Sequence, residues 1–390
     1  MKNPRKARTC SRLRHIYRTV FLVLLATAAW AAPPSAGRGE EYLAVTGPCD
    51  LQFPSDHGPH PDARTEWWYY TGNLQSEDGK SFGFQLTFFR SRIAAPGTEK
   101  SWPRPASHWR SGQVYLAHAA VSDISGKRYL HNGTLSREAP GLAGSLQQSG
   151  ATDISVRGWS AHIGPGEHRL DAAADRFRIA LSLTPLKAPT LHGRSGYSLK
   201  GSTPERASCY YSFTRLDTGG TIVLNGKEIP VRGTSWMDHE FSSAPMEEDL
   251  AGWDWFSMQL SDGTELMVYL MRRKDGSCAP ASSGTFVDAS GKSVALDRES
   301  IRVDVLGHWR SPRSGALYPA NWRLRVPSLG IDLALSPKLA DQEMETPETT
   351  GVTYWEGSIA IAGKGTGGKP VEGNGYAELT GYAKSMDGRL

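Results

Sequence analysis

Cysteine is scarce: four in 390 residues, and Cys10 falls in an N-terminal leader. Cys49, Cys209 and Cys278 remain. Three is odd, so at most one bridge forms among them, and a disulfide-stapled scaffold is excluded. Their spacing matches no zinc motif. The chain also lacks a Gly-x-Ser-x-Gly elbow, a phosphate-binding loop and a dinucleotide fingerprint opening a helix. Those absences remove the α/β-hydrolase, NTPase and nicotinamide or flavin classes. No segment longer than about three turns repeats apolar residues at helical spacing, so helices are not expected to frame the fold. The apolar run VFLVLLATAAWA (20–31) is too short to span a bilayer comfortably.

That run reads as the core of a leader. Lys2, Arg5, Lys6, Arg8, Arg12, Arg14 and Arg18 precede it, and Ala29-Trp30-Ala31 supplies a small-x-small cleavage pattern. The expectation is a signal peptide over residues 1–31, a flexible segment over 32–48, and an exported, periplasmic or secreted product. An uncleaved N-terminal anchor is the alternative. The leader carries seven of the 44 basic residues and no acid, leaving 37 basic against 40 acidic residues, a formal net charge of −3. The apparent basicity belongs to the leader, so no nucleic-acid partner is expected. Export brings contact with a membrane or with export machinery as a further expectation.

What is present is glycine (42 residues), tryptophan (12) and short alternating runs. In SFGFQLTFFR (81–90), Phe82, Phe84, Leu86 and Phe88 share one face, the pattern of a half-buried strand. EWWYYTGNLQ (66–75) forms a hairpin with it. Asn225-Gly226 and Asp262-Gly263 each predict a two-residue hairpin turn. The second turn pairs Ser261 with Thr264, which sets Met258 opposite Met267, Phe256 opposite Tyr269 and Asp254 opposite Met271, all on one face. Strands recurring every 8–12 residues predict an all-β chain. A proline and an acidic run at SSAPMEEDLAG (242–252) mark the boundary between two strand-rich blocks.

TSWMDHEFSS (234–243) places Asp238, His239 and Glu240 in succession. On a strand, Asp238 and Glu240 share one face and His239 takes the other. The bland reading is a strand end tied down by hydrogen bonds. The chemical reading is an acid–base group in an apolar cavity, with Asp254 and Tyr269 as further catalytic candidates. Trp67, Trp68, Tyr70, Trp236, Trp253 and Trp255 are the candidate ligand-binding aromatics. In Glu66-Trp67-Trp68-Tyr69-Tyr70, alternation sends Trp67 and Tyr69 one way and Trp68 and Tyr70 the other. A metal reading joins His239 to the Asp56–Asp62 loop, but three prolines and an irregular spacing weigh against it, so no metal and no cofactor is expected.

DHGPHPDARTEWWYYTGNL (56–74), FGFQLTFFR (82–90), GTSWMDHEFSS (233–243), GWDWFSMQLSDGTELMVY (252–269), YWEGSIAIAG (354–363) and GYAELTGY (375–382) together resemble the lipocalin-like AttH family, which includes carotenoid 1,2-hydratase. The resemblance runs through essentially the whole chain after the leader. It implies two tandem lipocalin-like β-barrel or sandwich domains, here 49–243 and 244–390, binding long apolar ligands without a cofactor. Hydratase members use a His matched by His239, followed two residues on by a Trp where this chain has Phe241. They also use a Tyr-x-Asp, matched by Tyr269-Leu270-Met271, in which the acid is replaced. On that ground the expected function is an exported carrier of an isoprenoid, polyene or lipid, held near the domain interface. The alternative is a cofactor-independent hydratase that protonates an isolated C=C bond.

Overall fold

The computed structural model describes residues 42–105, 107 and 109–386. The expected signal peptide, and most of the segment expected to be flexible, lie outside them. The first sheet is built from thirteen strands: β1 (Thr65–Ser76), β2 (Ser81–Arg92), β3 (Gln113–Asp123), β4 (Arg128–Arg137), β5 (Ala143–Gln148), β6 (Ala151–Val156), β7 (Trp159–Gly164), β8 (Glu167–Ala173), β9 (Phe177–Pro185), β10 (Thr190–Leu191), β11 (Tyr197–Leu199), β12 (Ala207–Leu224) and β13 (Lys227–Ser242). The second holds ten: β14 (Leu250–Leu260), β15 (Glu265–Arg273), β16 (Ser283–Val287), β17 (Ser293–Leu296), β18 (Arg302–Arg310), β19 (Leu317–Val326), β20 (Ile331–Pro337), β21 (Glu343–Glu345), β22 (Thr353–Lys364) and β23 (Pro370–Leu379). The fold is almost all-β, in two β domains.

In the first sheet the order is β4-β3-β2-β1-β13-β12-β9-β8-β7-β6-β5, all antiparallel. It curls until β3 meets β5 through Tyr115 Oη and Ser145 Oγ, 2.8 Å apart. Phe82, Phe84, Leu86 and Phe88 point into the barrel, with Trp68, Tyr70 and Met237. The opposite face of β2 was expected to be solvated. Gly83, Gln85 and Thr87 are instead buried, because the second domain covers that face.

The second sheet runs β17-β16-β15-β14-β23-β22-β20-β19-β18 and forms a half-barrel. Glu265 on β15 is fully buried and accepts from two cations of the first domain, Arg215 Nε and Lys187 Nζ, each at 2.6 Å. Pulling the sheets apart would strand the Glu265 charge in the interior, so the contact holds the two sheets in one relation.

The two glycine turns diverge. At Asn225-Gly226 both residues have positive φ (50° and 81°), and Leu224 pairs with Lys227, as expected of a two-residue turn. At Asp262-Gly263 only Gly263 does (φ 80°). Leu260 pairs with Thr264 around a three-residue loop, with Leu260 N donating to Thr264 O at 2.9 Å, and the Asp262 carboxylate accepts from the Thr264 amide. The expected register is therefore wrong by one residue. Trp255, not Phe256, faces Tyr269, and Trp253, not Asp254, faces Met271. Since side chains alternate, one residue exchanges every face. Trp253, Trp255, Met267, Tyr269 and Met271 turn to the first domain, while Asp254, Phe256, Met258 and Leu266 turn away.

Candidate functional site

β13 lies between β1 and β12, so both of its edges are paired, and its faces look into the barrel and toward the second domain. On the barrel face, His239 Nε2 meets Glu66 Oε1 at 2.9 Å, and its Nδ1 meets the Tyr211 hydroxyl at 3.0 Å. Glu66 also receives His60 Nδ1 at 2.8 Å, the His60 backbone amide, and Arg90 Nε at 2.7 Å. His60 Nε2 in turn meets Asp56 at 2.9 Å. Burial alone raises the Glu66 carboxyl, but these donors outweigh it and hold it far below the usual range. Burial pulls His60 down too, yet its bonds to Glu66 and Asp56 win and raise it, whereas burial keeps His239 lowered. His60, Glu66 and His239 offer ligand atoms within 4.8 Å of one another. Glu66 is already saturated by its donors and charge-balanced by Arg90, so the trio reads as a hydrogen-bonded hub that pins the proline-rich loop to the barrel.

The other face opens on a cavity between the domains. Trp67, Phe89, Trp253, Trp255 and Met271 make it apolar. Into it come Asp238 and Glu240 from β13, Glu356 from β22 and Glu378 from β23. Asp238 accepts from Tyr210 Oη at 2.9 Å, from Trp236 Nε1 at 2.5 Å and from Ser212 Oγ. Desolvation nevertheless pushes its pKa to about 7. Glu356 and Glu378 stand directly opposite each other across the β22–β23 ladder. Burial raises both, Glu378 to about 7 and Glu356 further; the Glu378 charge also raises Glu356, and the Glu240 charge raises Glu378. Trp253 Nε1 donates to Glu378 Oε2 at 2.9 Å. Glu240 pairs with Lys200 Nζ at 3.0 Å, and that ammonium sits 4.0 Å from the Tyr269 ring centroid.

The expected site residues thus divide. Asp238, Glu240, Tyr269, Trp67, Trp253 and Trp255 line the cavity. His239 faces the barrel interior. Trp68 and Tyr70 do too: Trp68 Nε1 donates to His57 O at 3.1 Å, and Tyr70 Oη meets His168 at 3.0 Å. Trp236 is buried beside Asp238, behind the wall. Asp254 is turned from the cavity by the register, paired with Arg272 Nη1 at 2.5 Å and Tyr382 Oη at 3.0 Å. The Tyr269 hydroxyl donates to the Leu199 carbonyl, leaving its ring to the cavity. Sequence reasoning missed Lys200, Tyr210, Glu356 and Glu378. The signal for the two acids was a lone carboxylate among small and apolar residues, in YWEGSIAIAG and GYAELTGY. Cys49 and Cys209 form a disulfide, and Cys278 is free.

The arrangement keeps three carboxyl groups near or above neutrality in an aromatic cavity, where a neutral acid can deliver a proton. Among curated proteins none matches this chain. Among solved structures, a putative AttH from Nitrosomonas europaea is similar at 34% identity and TM-score 0.76, over 87% of this chain and 99% of that one. Kievitone hydratase from Nectria haematococca shares the fold at 15% identity and TM-score 0.66, over 89% of this chain and 97% of that one. The family model described as AttH-like matches residues 44–382, so the chain belongs to the AttH-like family.

Proposed function

We propose that this protein is a lipocalin-like hydratase that binds a long apolar ligand in the interdomain cavity and adds water to an isolated C=C bond. The observation that carries the reading is the set of Asp238, Glu356 and Glu378, held toward their neutral forms around an aromatic cavity. Protonating an isolated alkene needs an undissociated acid at neutral pH, and burial supplies it. The cation that results is stabilised by the faces of Trp67, Trp253 and Trp255. Replacement of the motif acid by Met271, which had favoured a carrier, loses its force, because Glu356 and Glu378 bring acids to the same cavity from other strands. Kievitone hydratase carries a hydratase's name on this fold. At its identity the resemblance is of fold, and the carboxyl groups bear the argument. The leader and the Cys49–Cys209 disulfide both favour export to an oxidising compartment.

The test is native mass spectrometry of the purified chain incubated with a panel of linear isoprenoids and prenylated phenols. A hydratase returns ligand heavier by one water, and the triple variant Asp238→Asn/Glu356→Gln/Glu378→Gln slows its formation by about a hundredfold or more. Ligand returned stoichiometric and unaltered means a carrier.

A further inference from the structure

Beside the cavity, β1, β2 and β4 of the first domain lie against β22 and β23 of the second. Five side-chain atoms there are buried without a hydrogen-bond partner in the protein: Tyr69 Oη, Gln85 Oε1, Tyr129 Oη, Glu356 Oε1 and Tyr376 Oη. Tyr69 and Glu356 line the cavity itself. Tyr69, Tyr129 and Tyr376 all feel the Glu356 charge, and Tyr129 also feels Tyr376, so the four groups are neighbours; Tyr69 leans toward Glu356, and Tyr376 toward Ser122, short of closed hydrogen bonds. Gln85 shares its face of β2 with Gly83 and Thr87. Its amide nitrogen is spent on the Thr87 hydroxyl, which leaves its oxygen as an acceptor. Gly83 makes room: a Cβ there would lie 2.8 Å from Tyr376 Oη.

Each such atom left unpaired costs about 1–3 kcal/mol, and native proteins satisfy nearly all of them. Five in one place, from five different strands, mark a built polar chamber. Its chemistry is selective. Three phenols can donate or accept, the glutamine oxygen accepts, and the carboxyl does either according to its proton. Such a mixture of donors and acceptors suits a small hydroxylic molecule. A buried water makes about three hydrogen bonds, so two or so would satisfy the group.

We propose that this chamber is the water-binding site of the protein, and that Glu356 cycles the proton between its water and the ligand. The inference rests on the hydratase reading for its second half only. In the first step the Glu356 carboxyl gives its proton to one alkene carbon. The π pair forms the new C–H bond, leaving a carbocation and the Glu356 carboxylate. In the second, a chamber water held by Tyr376 and Tyr129 attacks the cation through an oxygen lone pair. The proton it sheds returns to Glu356, so acid and enzyme are regenerated and the net change is addition of H and OH from the same side. Asp238 and Glu378 then serve to hold the local charge low.

Two measurements on the full-length protein test this. A high-resolution crystal structure of the protein without ligand should show ordered water within hydrogen-bonding distance of Tyr376 Oη and Glu356. Infrared spectra at neutral pH should show protonated-carboxyl C=O absorption, one component of which disappears in Glu356→Gln and shifts in Tyr376→Phe, which removes one hydroxyl and keeps the ring. Glu356→Gln should also lower hydration at least about a hundredfold, and Tyr376→Phe should lower it less. A chamber closed by direct bonds among the tyrosines and Glu356, or one that is dry, overturns the water site. A carboxyl band untouched by Glu356→Gln overturns the proton role. A chamber that holds water in a protein that yields no hydrated product leaves the water site standing and sinks the hydratase reading instead.

Discussion

The paired strands β1 and β13 have buried charge on both faces and treat it in opposite ways. On the barrel face, Glu66 meets the guanidinium of Arg90, two imidazoles and a backbone amide. Its charge is paid in full, and the carboxyl is held ionised. On the interdomain face, Asp238 has three donors but no cation in contact. Across the cavity Glu356 leaves an oxygen unbonded beside Glu378. Glu66, Asp238 and Glu356 are all buried, so burial alone does not distinguish them. A saturated cluster has one stable arrangement and works as a rivet. An unsaturated one keeps lone pairs and protons available for something that is not protein.

That contrast breaks most visibly at Glu66. Glu66→Gln leaves Arg90 buried without its counter-charge, and thermal or denaturant unfolding should show a loss of about 3–5 kcal/mol. Glu356→Gln, equally buried, should leave stability nearly unchanged or raised, since its carboxyl is already neutral. Equal losses at the two positions would erase the distinction.

The pH dependence of unfolding sharpens the same comparison. Asp238 and Glu378 titrate near 7 in the fold, above their ordinary values of 3.8 and 4.5. The folded state therefore holds extra protons, and their contribution is complete below about pH 4 and lost as pH rises through 7. The barrel and interface histidines run the other way. His57, held at about 4, and His118, His168 and His192, at about 3, are kept neutral by burial against an ordinary 6.5. Their contribution is full above 6.5 and lost as pH falls through those values. The double variant Asp238→Asn/Glu378→Gln should gain on the wild type by about 2 kcal/mol or more between pH 5 and pH 7. A constant difference between the two proteins would refute the raised carboxyls.

The smallest expected effect falls at Asp254, which faces away from the cavity. Asp254→Asn weakens its pair with Arg272 and should cost about 1 kcal/mol of stability, with capture of an isoprenoid ligand unchanged. Weakened capture would put the side chain back on the cavity face.

The strand character of the chain, the inward face of β2 and the split of Asp238 and Glu240 from His239 were legible because alternation is a local property. The turn at Asp262-Gly263 was not. Asn225 and Asp262 precede their glycines alike, yet only Asn225 takes a positive φ. One extra loop residue then moved Asp254 out of the site and Trp253 and Trp255 into it. Glu356 and Glu378 were printed in stretches that carry the family resemblance, but nothing local says that their strands lie side by side.

Composition and alternation by themselves determined an all-β chain of two blocks, because these depend on residue type and spacing along one strand, and the motifs carried a resemblance to the family. Which carboxyls share a cavity, which histidine is a rivet, and which cysteines join were decided only in the tertiary structure. Strands far apart in sequence must first be laid face to face, and the protonation of a buried acid depends on what surrounds it there.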